Sequence, residues 1–473
     1  MQATAARHTV QPFLDDRIAL GADPSVIVPT VNHNIDWDWF RAVEREFLRA
    51  RKVHNDRKNK RQGPGRPRNP GGPGRSGYGF FGLLRAFLFA PLFEVPATAA
   101  TIKRALHANP AYLVECAFDP IMESRKVVRI NPVPSFWAIN EFDNVMNEAG
   151  LWDRVREITT RKAIRLGAIP KEGVLGVDPT PVKAYARPEK RKRCDCADQS
   201  ACNHRRREAD RDARYYKKGG VRILRAYRPI ILAELLSGVP LKSILPSDTR
   251  NVDAERFEKV LQDVKNDRSL SGVSFREMIA DAEFDSRMNR ANSQRVLGIP
   301  LYAPPNPRRR KGRPVGRRGI REIDPAGVPV CEHGQRFEFV GLDRLRASSV
   351  FRAPRDDRGR PICRTCPIRC TEARGGRYFR VPLEVTPWID LEMPQHSLAF
   401  KMKLALRTEI ERVISRLKIL GAGAVTKQGR KKVGGRITRA IIVAQMIAVV
   451  AMRMNQPDAI RAIRTLRGPP LAA

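Results

Sequence analysis

Apolar residues recur at helical spacing up to about residue 169 and again from residue 396, while the stretch between alternates short apolar runs with turn and charge signals. Residues 1–50 predict an N-terminal helical segment, carried by "DWDWFRAVEREFLRARKVH". Residues 51–79 contain the Gly/Pro/Arg-rich "RKNKRQGPGRPRNPGGPGRSGYG", which has nothing to bury and predicts a basic flexible linker. Residues 80–169 return to helical spacing, with two helices joined at Ala149-Gly150, and fit a helical DNA-binding region or a plain bundle. Residues 170–300 change character. Val174, Leu175 and Val177 form an apolar run that ends in Asp178, and Met278, Ile279 and Ala280 form another that ends in Asp281. Between them "VRILRAYR" and "LKSILPSD" read as further strands and "DAERFEKVLQDVKND" as an amphipathic helix, an order that predicts a mixed sheet with helices on its faces. Residues 301–395 interrupt this pattern with a basic, cysteine-bearing insertion. In 396–473, Ser397 is placed to cap a helix. Leu406, Ile410, Val413, Ile414, Leu417 and Leu420 share one face of the helix that follows, and a final buried helix spans Ile437 to Met454.

Charge narrows the class of partner. The 473 residues carry 88 Lys+Arg against 50 Asp+Glu, a formal charge of +38, far beyond what solubility requires. A polyanion is implied, with double-stranded DNA first and an anionic membrane second. The membrane reading fails on length, because "AIIVAQMIAVVAM" at Ala440–Met452 is shorter than the roughly 20 apolar residues of a spanning helix. "GFFGLLRAFLFAPLF" is short too, and broken by Arg85 and Pro91. The first residues hold no apolar signal core, so a cytoplasmic, nucleoid-associated protein is expected. There is no Walker loop and no dinucleotide fingerprint, which leaves phosphodiester exchange without ATP as the energetically sensible chemistry.

The helix after Ser397 places Arg407, Glu411 and Lys418 in one stripe beside its apolar face, and Glu409 on the opposite edge, where a surface position is expected. Two strand-end aspartates and a helical glutamate are the donor set that two Mg²⁺ ions (or Mn²⁺) need, since hard cations take oxygen ligands. Asp285 is the rival to Asp281 for the second position and is expected to support the site instead.

These motifs resemble the DDE transposases of insertion sequences, in the branch whose third carboxylate lies in a Tyr-(2)-Arg-(3)-Glu-(6)-Lys signature. Arg407, Glu411 and Lys418 match its last three members, and Leu404 stands at the Tyr position. "DPTPVKAYA" at Asp178 matches the first motif. "ADAEFDS" at Asp281 matches the second, with Glu283 where Gly is usual and Phe284 where Tyr is usual. The resemblance runs from about residue 130 to 455. It implies a ribonuclease-H-like (retroviral-integrase-like) catalytic domain with Asp178, Asp281 and Glu411 as catalytic metal ligands. It also implies Arg407 and Lys418 on DNA phosphates, and a homodimer acting on element terminal repeats and target DNA. Arg308, Arg309, Arg310 and Lys311 add a basic arm for the same partner.

Seven of the eight cysteines are clustered, which in a reducing compartment favours metal over disulfides. Cys194, Cys196, Cys202 and His204 form one candidate structural zinc set, within an insert at 190–215. Cys331, Cys363, Cys366 and Cys370 form a second, with His333 as an alternative ligand; ligands shared between the two clusters are a third arrangement. Cys116 stands alone as a small buried hydrophobe. The expected activity is metal-dependent strand cleavage and strand transfer. The alternatives are a non-catalytic zinc-containing DNA-binding protein derived from a transposase, and a metal-dependent nuclease of the same fold.

Overall fold

Helical periodicity in the first third becomes, among the described residues, seven α-helices in the computed structural model. It describes residues 24–61, 78–118, 122–123, 126–127, 133–185, 212–247, 253–306, 313–382 and 397–461, apart from short breaks in those spans, and a few separate positions including Asp210 and Gln395. The helices are α1 (Pro24–Asn34), α2 (Arg41–Arg61), α3 (Phe80–Phe89), α4 (Ala99–Ala108), α5 (Pro110–Glu115), α6 (Phe136–Glu148) and α7 (Leu151–Arg165). Side chains of Thr98, Asn109 and Ser135 accept backbone N–H groups at the starts of α4, α5 and α6, supplying the partners that a helix start lacks. Gly150 turns α6 into α7 with a φ of 68°, a left-handed conformation that suits glycine. Residues 51–61, expected to be linker, continue α2 to Arg61, because "VHNDRKNKR" holds no Gly or Pro; residues 62–77 lie outside the described residues. Two contacts tie α2 to α6, Arg51 Nε to Glu141 at 2.8 Å and His54 Nδ1 to Glu148 at 3.0 Å.

The chain then enters strands β1 (Glu172–Pro179), β2 (Val182–Lys183), β3 (Arg214–Lys218), β4 (Arg222–Tyr227), β5 (Ile230–Glu234) and β6 (Val239–Ile244). Helix α8 (Ala254–Lys265), strand β7 (Ser274–Ala280), helix α9 (Arg287–Leu297) and strand β8 (Leu301–Tyr302) follow. Five of these strands form a mixed sheet in the order β8-β7-β1-β5-β6. β7 runs parallel to β1, and β8 to β7, while β5 and β6 are antiparallel to their neighbours. "VRILRAYR" does supply a strand, but β4 lies in a small separate sheet between β2 and β3. The partner of β1 is the wholly buried "IILAE" of β5, which suits a sheet position covered on both faces. The two sheets are joined by one kinked hairpin, in which the Thr180 amide donates to Pro229 O at 3.0 Å.

Residues 313–382 make a second, smaller body of antiparallel strands. β9 (Arg313–Arg317), β10 (Ile320–Ile323) and β11 (Pro329–Cys331) pair in one sheet, and β12 (Glu338–Asp343), β13 (Ser348–Arg352) and β14 (Tyr378–Pro382) in another. Among the described residues its buried apolar cluster is Ile320, Ile323, Val328, Phe337, Phe351, Ala353, Phe379 and Val381.

Helices α10 (Leu398–Leu404), α11 (Arg407–Leu417) and α12 (Arg430–Arg453) finish the main body, with Ser397 capping α10 and one π-turn at Lys418–Ala422. α12 has the length and apolar character of a spanning helix, yet 89% of its apolar window is buried inside the fold. It packs on α1, α3, α6, α7, α11 and β6. Gln445 on α12 donates to Pro240 O at 2.8 Å, so its amide is satisfied within the core. α12 also decides the domain organisation. The amino-terminal helices and the five-stranded sheet share one continuous core through it, so the boundary expected at residues 169–170 does not divide two cores.

Candidate active site

The parallel pairing of β1 with β7 sets Val177 opposite Ala280, so Asp178 in β1 and Asp281, the residue just past β7, follow side by side. Close packing holds that strand end. A Cβ added to Gly176 would lie 2.3 Å from Leu235 Cδ2, so only glycine lets the side chain after β5 close over β1. α11 packs across β1 and β5, with Ile410, Val413, Ile414 and Leu417 buried beneath it. Arg407 and Glu411 are thereby turned toward the strand ends, and both act electrostatically on Asp178.

The two aspartates are held against their ionisation. Burial first, then repulsion from Asp281 and Glu411, pushes the Asp178 carboxyl up to about 7, against the opposing pull of Arg407 and Arg228. Asp281 is also raised, chiefly by burial, although its Oδ1 accepts the Glu283 amide at 2.7 Å. The neighbouring cations are already engaged. Arg407 Nη1 lies 2.8 Å from Glu411 Oε1, and both terminal nitrogens of Arg228 bond the Glu283 carboxylate. Negative charge thus exceeds positive charge at the strand ends, the condition in which divalent cations bind to oxygen donors. The donor set fits Mg²⁺ in kind. In placement, among the described residues no group of three His, Cys, Asp or Glu side chains stands where it could hold one ion, and Glu411 is half-exposed and directed to Arg407.

Neighbouring acids have other work. Asp285 is buried, accepts the Asn306 amide at 2.9 Å and bonds Arg290 and Gln395, so it anchors the loop after β7. Glu409 is not the surface residue expected from its helical position. It is 5% exposed and held by Arg412, Arg416 and Arg461 at 3.3, 2.9 and 3.4 Å. The carboxy-terminal turn Pro457–Arg461 covers that edge, bringing a cation that helical periodicity in α11 does not reveal. Arg228 and Glu283 were not marked by spacing as site residues. The only signal was Glu283 standing in the second aspartate motif, two positions after Asp281.

Lys418 is exposed in the π-turn, on the continuation of the Arg407–Glu411 stripe. Leu404, at the Tyr position, is partly buried against the main core. Cys331, Cys363, Cys366 and Cys370 line one cavity of about 270 Å³ in the smaller body, while Cys116 is buried in the main core. Cys194, Cys196, Cys202, His204, Arg308, Arg309, Arg310 and Lys311 lie outside the described residues. Neither a family model nor a curated protein sequence matches the chain.

Proposed function

We propose that the chain is a metal-dependent DNA strand-cleaving and strand-transferring enzyme, a DDE-type transposase with a ribonuclease-H-like sheet. The observation that supports this reading most is the placement of Asp178 and Asp281 on adjacent parallel strand ends, under a helix that carries Arg407 and Glu411. The sheet order, with two antiparallel strands on one side of β1 and two parallel strands on the other, is compatible with that fold.

Asp178, Asp281 and Glu411 would hold a pair of Mg²⁺ or Mn²⁺ ions. Such a pair, when bound, activates the attacking oxygen and stabilises the leaving one in in-line phosphoryl displacement. The chain's own contribution is to keep Asp178 and Asp281 close enough that their charges oppose each other, which makes them strong competitors for a divalent cation at neutral pH. Arg407, freed when Glu411 turns to the metal, and Lys418 bind phosphates on either side of the scissile bond. The charge of +38 holds the DNA, with the basic segment at Arg308–Lys311 contributing. Two copies are needed to join two element ends together, so the active complex is a homodimer.

A DNA-binding protein without catalysis is favoured by one observation, the engagement of Glu411 with Arg407 away from a common metal point. A nuclease of the same fold would share every site residue. The deciding experiment incubates the protein and Glu411→Gln with Mg²⁺ and DNA carrying the sequences that flank its own coding region. Cutting and joining by the native protein, lost in Glu411→Gln while DNA binding persists, supports the transposase. Cutting without joining supports the nuclease, and binding without either reaction under any divalent ion supports the binding protein.

A further inference from the structure

The smaller body has a feature that the carboxylate site does not use. Cys331 closes β11 in the first three-stranded sheet, whereas Cys363, Cys366 and Cys370 lie in the connection between β13 and β14 of the second. All four line the same cavity, of about 270 Å³. Cys331 sits in a tight turn, its carbonyl accepting the Gly334 amide at 2.8 Å and its Sγ accepting the Gln335 amide at 3.3 Å. Cys363 Sγ accepts the backbone amide of Arg377 and lies within hydrogen-bonding reach of Cys370. The 3₁₀ turn Ile362–Arg364, closed by the Thr365 amide on Ile362 O at 3.2 Å, brings Cys363 and Cys366 to the same wall. Gly319, with φ +84°, packs against Cys370, where a Cβ would meet the Cys370 Cβ at 2.5 Å and the Sγ at 3.0 Å. The backbone is thus shaped to the thiols. His333, the alternative ligand, is exposed, and Glu332 is taken by the Gly319 amide at 2.7 Å.

We infer that Cys331, Cys363, Cys366 and Cys370 bind one zinc ion, and that this ion joins the two three-stranded sheets of the smaller body. Four thiolates are the common donor set of closed structural zinc sites, with Zn–S bonds of about 2.3 Å. Each thiol gives up its proton to solvent on binding, and no redox partner is required. As they stand, no three of these four thiols are placed to hold one ion, and side-chain rotation within the cavity closes them onto it. The need for a staple follows from the thin core, a single cluster of eight buried apolar residues among the described residues, shared between the two sheets. This inference is independent of the carboxylate-site reading.

The test measures zinc per chain by atomic emission in the full-length protein and in Cys363→Ser/Cys366→Ser. The difference expected is one zinc per chain, whatever the cluster at Cys194–His204 holds. With Co²⁺ in place of zinc, Cys331→Ser should lower the thiolate-to-metal absorption attributable to this site, and His333→Ala should leave it unchanged. Chelation should raise amide hydrogen exchange in β9–β14 while leaving α12 protected, a readout that does not depend on a variant folding. The inference is overturned if the double variant keeps the zinc content of the native protein. It is equally overturned if the native protein carries no zinc here and its Cys363 and Cys370 titrate as a disulfide.

Discussion

Asp143 and Asp267, beneath the helices, and Asp178 and Asp281, at the sheet's edge, solve the burial of a carboxylate in opposite ways. Asp143 is 1% exposed, yet its carboxyl is held below the usual range. Burial would raise it, but Arg439 at 2.6 Å and Lys427 at 2.5 Å, with an Asn147 amide, outweigh that penalty. Asp267 is treated likewise by Arg156 at 2.9 Å, Lys242 at 3.4 Å and the Ser269 hydroxyl. At the strand ends the balance is reversed, because Arg228 is bound by Glu283 and Arg407 by Glu411. A fold that supplies two cations each to Asp143 and Asp267 leaves these two short of cations. That shortage costs stability, and it is what a site for divalent cations requires.

The largest expected effect breaks the comparison at the site. Asp178→Asn should lower the rate of DNA cleavage by about 10³-fold or more, equivalent to about 4 kcal/mol of barrier. The same variant should unfold at higher denaturant concentration than the native protein at pH 8 without Mg²⁺. Loss of both activity and stability would return Asp178 to the structural class. The mirror experiment is Asp143→Ala, which strands Arg439, itself 5% exposed and stacked near Phe87 and Trp152. A loss of about 3–5 kcal/mol in chemical denaturation is expected. A loss below about 1 kcal/mol would show that Asp143 is not the anchor of α12.

The two classes also carry opposite pH slopes. Asp178 has a folded value of about 7 against 3.8 for the free side chain, so between those values the native state binds more protons than the unfolded chain. Its contribution is therefore favourable below about pH 4 and is lost as pH rises to 7, by a few kcal/mol at most. Asp143 and Asp267 are depressed, so their contribution is present above the unfolded value and lost only as pH falls through their folded ones. Denaturation midpoints of native and Asp178→Asn protein from pH 4 to 8, without metal, should converge at the acid end and separate towards pH 8. Mg²⁺ should close that gap by stabilising only the native protein. Parallel curves would mean that Asp178 is not raised.

Much of this site is local, which is why it was legible in the sequence. An apolar run that ends in an acid places Asp178 and Asp281, helical spacing aligns Arg407 with Glu411, and Ser397 caps the expected helix. The charge balance is not local. Arg228 reaches Glu283 across 55 positions and Arg461 reaches Glu409 across 52, so periodicity within one helix puts Glu409 at the surface. Both runs read as strands are strands, but the sheet each enters was hidden for a related reason. "VRILRAYRPIILAE" is nearly one run of strand formers, and only pairing with β1 tells that its second half enters the central sheet. That the amino-terminal helices share one core with the sheet was equally out of reach, since it depends on α12, whose contacts with α1 and α3 span most of the chain.

The smallest effect sharpens the comparison with two lysines nine positions apart. Lys427 belongs to the saturated class, bonded to Asp143 at 2.5 Å with a side chain 24% exposed. Lys418 is exposed beside the stripe that leads to Glu411. Removing a phosphate contact weakens DNA binding across all sequences and lowers the slope of log affinity against log salt by about one. Lys418→Ala is therefore expected to reduce that slope by about one, with an unchanged denaturation midpoint. Lys427→Ala should do the reverse, keeping the slope and losing stability, because its charge is already spent on a buried carboxylate. Binding titrations at several salt concentrations on a single duplex separate the two. An unchanged slope in Lys418→Ala would remove Lys418 from the DNA path and leave Arg407 as the cation on that stripe able to reach a phosphate, since Arg407 alone there is released when Glu411 turns away.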